Sequence, residues 1–342
     1  MKMKKTVAMC MAGVMCAGMM AGCGSNNAND SAGIAESKEY EGTMTFVVSH
    51  KDEYLGSLDQ GVKSAANAKG IEIKTVECSD DMDKQIEYVR AADAAGENVV
   101  MVVMADDTRA DEIIEAAGDM KVVFVNRIPQ DTSLLDADHV YVGSDEEDSG
   151  KMQGEILAEQ LKAEGKSEIN YILIKGTEGL IHTVKRSEGV LAALKNAGIT
   201  TNPVTDPVDC GYDRDKAMEQ VGVMIANGMD MSKVDVIIAN NDAMALGALE
   251  ALKENNVDTS KIDIVGIDGT NAGLKAIVDG DMVATVYQSA EGQAAAGVQA
   301  AINLATGADL TANMKYKTAQ NNENIIWVPF EKITTDNVAD YY

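Results

Sequence analysis

The chain has 342 residues, enough for about two domains, of which 46% are apolar and 25% charged. That balance excludes a wholly disordered, collagenous or coiled-coil chain, while four Pro and 4% aromatic residues disfavour an all-β sandwich. The formal net charge is −26, so nucleic-acid backbones and anionic lipid headgroups are repelled and a nucleic-acid partner is not expected.

Lys2, Lys4 and Lys5 precede an apolar run, Val7 to Met20, of 14 residues. That is too short to span a bilayer and reads as the core of an export signal. The run ends in Met20-Ala21-Gly22-Cys23, which resembles a bacterial lipobox. The resemblance implies cleavage after residue 22 and lipid on the Cys23 thiol, with a polar tether over residues 23–42. Cys10 and Cys16 would leave with the signal, so Cys78 and Cys210 remain, with two buried free thiols as the plainer reading and a disulfide between them as the alternative. His50, His139 and His182 are scattered, and no metal-ligand spacing is present.

Short β-branched runs predict strands at Met44–Ser49, Ile71–Val76, Val99–Met104, Val122–Asn126, Ile169–Lys175, Val204–Val208, Val234–Ala239, Ile262–Ile267 and Val283–Tyr287. Helical periodicity fills the intervals at Leu55–Lys69, Met82–Ala95, Asp111–Ala117, Gly150–Glu164, Thr183–Ala197, Asp213–Asn227, Asp242–Asn255 and Ser289–Ala305. Continuously apolar strands such as Val99–Met104 suit a parallel sheet covered on both faces. The alternation means an α/β, doubly wound architecture. The number of units calls for two sheets, with Pro129–Asp148 as the crossover between lobes.

Ligands of such sheets bind beyond the carboxyl ends of the strands. Asp52, Glu53 and Tyr54 follow the first strand; Asp106 and Asp107 the third; Asn126 and Arg127 the fourth; His182 and Arg186 the fifth. Tyr212, Asp213 and Arg214 follow the sixth, Asn240, Asn241 and Asp242 the seventh, Asp268 the eighth and Gln288 the ninth. Carboxylate, amide and guanidinium groups in this combination bridge neighbouring hydroxyls of a polyol, each of which both donates and accepts. Tyr54 and Tyr212 offer faces for the C–H side of a sugar ring. Taken singly, each residue has a plainer reading: Asp107, Asp213 and Asp242 suit helix N-caps, Asp268 a cap or turn, Asn126-Arg127 a solvated loop, and Arg186 a surface charge. The set is more specific than its members.

Several blocks carry a family resemblance. Val140-Tyr-Val-Gly-Ser-Asp145 with Ser149-Gly150 and Gln153-Gly154, and Ile238-Ala-Asn-Asn-Asp-Ala-Met-Ala-Leu-Gly-Ala-Leu-Glu-Ala-Leu252, resemble galactose/glucose-binding proteins of ABC transporters. Val265-Gly-Ile-Asp-Gly-Thr270, Ala284-Thr-Val-Tyr-Gln288 and Arg186-Ser-Glu-Gly189 resemble motifs shared with ribose-binding proteins, and Val328-Pro-Phe330 resembles the closing strand. The resemblance implies a type I periplasmic binding protein: two doubly wound parallel-sheet lobes joined by a three-strand hinge. It implies lobes of residues 43–142 plus 290–326 and 143–289 plus 327–342. It also implies sugar contacts from Asn126, Arg186, Asn241, Asp268 and Gln288, from the first loop (Asp52, Glu53, Tyr54), and from Tyr212 in place of the stacking aromatic.

There are departures. Gly179-Leu-Ile-His182 stands where the galactose type has Gly-His-Pro-Asp, and Leu161–Ser167 lacks the oxygen ligands of that type's calcium loop, so no metal is expected. The implied function is a lipid-anchored, monomeric sugar receptor outside the cytoplasm, without cofactor, that serves an ABC permease and its ATPase. The alternatives are a sensor for a chemoreceptor or histidine kinase, or a receptor for a pentose, inositol or nucleoside. An enzyme is disfavoured: no G-x-G-x-x-G follows the first strand, and Gly165-Lys166-Ser167 lacks the leading glycine of a phosphate loop, with Gln160 in its place.

Overall fold

The computed structural model describes residues 40–342. The expected signal, most of the tether and Cys23 lie outside the described residues. The first half runs β1 (Thr43–Val48), α1 (Glu53–Asn67), β2 (Glu72–Glu77), α2 (Met82–Ala94), β3 (Val99–Val102), α3 (Ala110–Ala117), β4 (Lys121–Val125) and β5 (His139–Gly143). There follow α4 (Glu146–Ala163), β6 (Glu168–Lys175), α5 (Ile181–Asn196), β7 (Thr200–Pro203), β8 (Val208–Asp209), α6 (Arg214–Ala226), β9 (Val236–Ala239), α7 (Asp242–Glu254), β10 (Asp263–Val265), α8 (Asn271–Asp279) and β11 (Ala284–Gln288). The chain closes with α9 (Ala290–Thr306), β12 (Ile325–Trp327) and β13 (Phe330–Thr334).

Two sheets result, ordered β12-β5-β4-β3-β1-β2 and β13-β11-β10-β9-β6-β7, with β8 also on β6. The pairings are parallel except β11 with β13. The chain passes between the sheets after β5, after β11 and after β12, which makes the hinge.

Side-chain alternation explains why the central strands are apolar throughout. In the first sheet, Phe46, Met101, Val123 and Val142 pack with Leu58 of α1 and Ala294 and Val298 of α9. Their neighbours Val47, Val100, Val102 and Phe124 point the other way, against Ile86 of α2 and Ile113 of α3. In the second sheet, Ile172, Ile237 and Ile264 face α6, α7 and α8, while Leu173, Ile238 and Val265 face α4 and α5. Cys78 and Cys210 are free and buried.

Five points are corrected. The Val204–Val208 strand is instead β7 and the two-residue β8, because Pro203 and Pro207 remove the ladder donors a continuous strand needs. The crossover at Pro129–Asp148 contains a full strand, β5, hidden by flanking acids. The nine-residue α8 escaped notice, as did the first turn of α4, which begins at Glu146 and not Gly150. Val328-Pro329 is the link between β12 and β13 and not part of a strand, although Val328 N–H donates to the Gly143 carbonyl at 2.7 Å.

Helices α4 and α5 touch through glycines. A Cβ at Gly150 would lie 2.5 Å from the Arg186 carbonyl oxygen and 2.9 Å from its Cα, both backbone atoms. Gly150→Ala must therefore push the helices apart, and about 1–3 kcal/mol of stability is expected to be lost in urea denaturation. An unchanged midpoint would show that the two helices slide freely.

Candidate functional site

The carboxyl ends of both sheets face one cavity. It is lined by Asp52, Tyr54, Leu55, Asn126 and Arg127 from the first half, and His182, Arg186, Tyr212, Asn241, Asp268 and Gln288 from the second. The side chains leave about 30 Å³ of it open to the centres of water-sized molecules. Ten of the strand-end candidates come together here, while Asp106, Asp107, Asp213, Arg214, Asn240, Asp242 and Glu53 do not line it. Glu53 sits one helical position out of line, half-exposed at the outer mouth, where its carboxylate takes a 2.9 Å hydrogen bond from Arg214. That is a correction to the sequence reading: Asp52 and Tyr54 flank Glu53 but turn inward.

Local backbone geometry aims several of these groups. Asn126, Tyr212 and Asp268 have φ of 67°, 63° and 124°. Left-handed backbone is tolerated by Asn and Asp but unusual for Tyr, and such strain gathers at ligand clamps where the surroundings over-determine it. Tyr212 is held by its hydroxyl, 3.0 Å from Thr183 Oγ1, and by its ring lying over Gly176, where a Cβ would approach within 2.0 Å. Asp52 caps α1, taking the Leu55 N–H at 2.7 Å, and Asn241 caps α7, taking the Met244 N–H at 3.0 Å. The cap of α7 is thus Asn241, with its side-chain amide nitrogen left for the cavity, and not Asp242. Asp242 is wholly buried and accepts from Thr285 Oγ1 at 2.6 Å and from the Thr270 N–H at 2.8 Å. Burial without a cation pushes its carboxyl up to about 7 despite those bonds.

Arg186 is the centre of the polar network and is 3% exposed. Its Nε and Nη2 donate to the two Glu146 oxygens at 2.7 and 2.8 Å, and its Nη1 to the Asn240 carbonyl at 2.9 Å. The guanidinium also lies 3.6 Å from Asp268 and 5.9 Å from the centre of the Tyr212 ring. Burial opposes the charge on Glu146, yet Arg186 beside it holds that carboxyl below its usual range. Asp268 receives no such match: burial raises it well above the usual range even with Arg186 near. Glu146 was missed in the sequence because it sits in the acid run Asp145–Asp148, which resembles a solvated helix start.

His182 is buried, and desolvation draws its pKa down to about 4, so the ring is neutral at pH 7. Its Nε2 lies 3.0 Å from the Asn126 carbonyl, which can only accept, so Nε2 carries the proton and Nδ1 is an acceptor. That Nδ1 has no hydrogen-bond partner, nor has the buried Tyr54 hydroxyl. Arg127 gives one N–H to the Met104 carbonyl at 2.7 Å. The halves are also tied across the cleft by Asp107 to the Ile181 N–H at 2.9 Å and Gln130 to the Gly179 carbonyl at 3.2 Å. This is a closed arrangement.

The model of the periplasmic binding protein domain matches residues 44–309. The chain belongs to that family. A D-galactose/methyl-galactoside binding periplasmic protein of Haemophilus influenzae is 28% identical over 306 residues, covering 86% of this chain and 90% of that one. A putative rhizopine-binding protein of Rhizobium meliloti is 27% identical, covering 85% and 89%. A solute-binding protein of an ABC transporter from Bacillus halodurans, solved with bound myo-inositol, superposes with a TM-score of 0.74 at 25% identity, covering 90% and 98%. These relatives are binding proteins, so this binding protein is not an enzyme. The family places it outside the cytoplasm. Among the described residues, no group of His, Cys, Asp and Glu is placed to hold a metal ion, and no helix is long and apolar enough to cross a membrane.

Proposed function

We propose that this chain is the substrate receptor of an ABC importer and takes a monosaccharide-sized, uncharged polyol, with a hexose such as galactose or glucose as the leading candidate. The carrying observation is the cavity itself: donors and acceptors converge from both sheets, while His182 Nδ1 and the Tyr54 hydroxyl are left without partners. A ligand hydroxyl donates to the first and pairs with the second. The cations do not make an anion site, because Arg186 is already neutralised by Glu146 and two further carboxyl groups, Asp52 and Asp268, share the wall. An inositol is the second reading, favoured by the myo-inositol complex of the Bacillus halodurans relative.

In this reading the lobes, residues 43–142 with 290–326 and 143–289 with 327–342, hinge shut because the closed form makes the extra ligand contacts. Cys23 carries the lipid anchor, residues 23–42 are the tether, and a permease with its ATPase receives the closed monomer. A sensory partner in place of the permease would use the same closure.

The test is a thermal melt of residues 24–342 against hexoses, pentoses, inositols and nucleosides. A ligand at 100 times its Kd adds about 2.7 kcal/mol to the folded state, a clear rise in Tm. A single responding hexose supports the leading reading, and a response to inositol alone supports the second. A response confined to pentoses or nucleosides, or no response at all, would overturn both.

A further inference from the structure

The helix that carries His182, Thr183 and Arg186 into the cavity does not cap itself. Helices α1, α2, α4, α6, α7, α8 and α9 each have an N-cap side chain that accepts from their own first turn. The N-cap of α5 is Leu180, which has nothing to offer. Its Ile181 N–H is taken instead by Asp107 Oδ2 at 2.9 Å, from the loop after β3 in the other lobe. The other oxygen, Oδ1, accepts from Gln130 Nε2 at 2.9 Å. Gln130 is tied back by its own N–H to the Asp107 carbonyl at 2.9 Å, and its Nε2 reaches the Gly179 carbonyl at 3.2 Å. Asp107 is 1% exposed. Asp107 is thus a helix cap, but not of the helix that follows it: the N-cap position of α3 is Arg109, without a side-chain bond.

We infer that Asp107 is a positioning residue, a helix cap that engages only when the lobes close and thereby couples ligand capture to the seating of His182 and Arg186. A carboxylate at a helix N-terminus satisfies an orphan N–H and opposes the positive end of the helix dipole. Here that gain exists only across the cleft, so it is a gain of the closed state and is lost on opening. It reaches the ligand through α5 without touching it. The inference rests on the closure mechanism proposed above.

A double-mutant cycle tests it. Asp107→Ala removes the acceptor. Ile181→Pro removes the donor, and proline is tolerated at the first helical position when the residue before it is extended, as Leu180 is with φ −67° and ψ 138°. Binding is titrated with whichever of D-galactose, D-ribose or myo-inositol raises Tm of the parent. Each single variant is expected to weaken binding about fivefold, and the double variant no further. Additive losses would mean two unrelated structural injuries and overturn the inference, as would unchanged affinity in either single variant. In parallel, spin labels on exposed Asp111 and Glu188 report the distance between lobes in the ligand-free protein. Asp107→Ala is expected to shift that distance towards longer values. This second readout needs no ligand: if none of the three probes binds, the proposed substrate fails, while the cap stands or falls on the label distances alone.

Discussion

Asp268→Asn is expected to abolish tight ligand binding while raising the melting temperature of the ligand-free protein. Asp268 is 4% exposed, and burial outweighs the nearby Arg186, so its carboxyl sits well above its usual range. A carboxyl whose folded pKa is raised destabilises the fold whenever it is ionised. Its neutral form is favoured by folding, and that advantage is lost as pH rises from the unfolded value, about 3.9, through the folded one. Asp242, pushed up to about 7, acts in the same direction. From these two groups, stability of the parent is expected to fall as pH rises from about 4 to about 7, the span between the unfolded and folded values of Asp242, and the Asp268→Asn variant should show a shallower fall. Asparagine is the right probe because φ is 124°, where alanine would add strain of its own. In the proposed receptor the carboxyl serves the ligand: its two oxygens beside Arg186 can hold adjacent hydroxyls, and turning one acceptor into an amide donor that faces a desolvated hydroxyl costs about 2–4 kcal/mol, roughly 30- to 1000-fold in Kd. Calorimetric titration and a pH series of melts check both halves. Unchanged affinity, or a lower ligand-free Tm at pH 7, would remove Asp268 from the site.

Glu146→Ala is expected to be the most destabilising single substitution near the cavity, at about 3–5 kcal/mol, because removing one member of a buried ion pair leaves the other charge uncompensated. The pair is bidentate, with both partners buried, and Ser149 Oγ adds a 2.8 Å hydrogen bond to Glu146. Asp268, 3.6 Å from the guanidinium, is too distant to replace two direct bonds. Glu146→Gln keeps the shape and one acceptor, so its loss should be smaller. The linkage runs opposite to that of Asp268. Arg186 lowers the folded pKa of Glu146, so the pair's stabilisation is complete above the ordinary glutamate value of about 4.3 and is lost as pH falls through the lower folded value. Urea denaturation at pH 7, followed by a series from pH 5 down to pH 3, measures it. Losses below about 1 kcal/mol at pH 7 would show that the pair contributes little beyond a surface bridge.

The two substitutions separate functions that look alike in the cavity. In the proposed receptor, Asp268 is costly to the fold and serves the ligand, whereas Glu146 holds Arg186 in place. A site built this way trades ligand-free stability for the ability to bind.

Much of the architecture was determined by local order along the chain. The alternation of apolar runs and amphipathic helices specifies an α/β protein with two parallel sheets, because an all-apolar strand is stable only when covered on both faces. Of the residues the strand-end rule gathered, Asp52, Tyr54, Asn126, Arg127, His182, Arg186, Tyr212, Asn241, Asp268 and Gln288 line one cavity, whereas Asp106, Asp107, Asp213, Arg214, Asn240 and Asp242 do not. Other features were decided only by tertiary structure. Glu53 differs from its neighbours by about 100° of helix rotation, which no composition argument resolves, and that rotation sends it to Arg214. Glu146 reads as one of a run of surface acids until α5 brings Arg186 against it. Asp107 reads as a helix N-cap of unspecified partner until the fold sets it beside Ile181, 74 positions along the chain. In each case the deciding partner comes from another turn, helix or lobe, so the role is a property of packing and is absent from the local sequence.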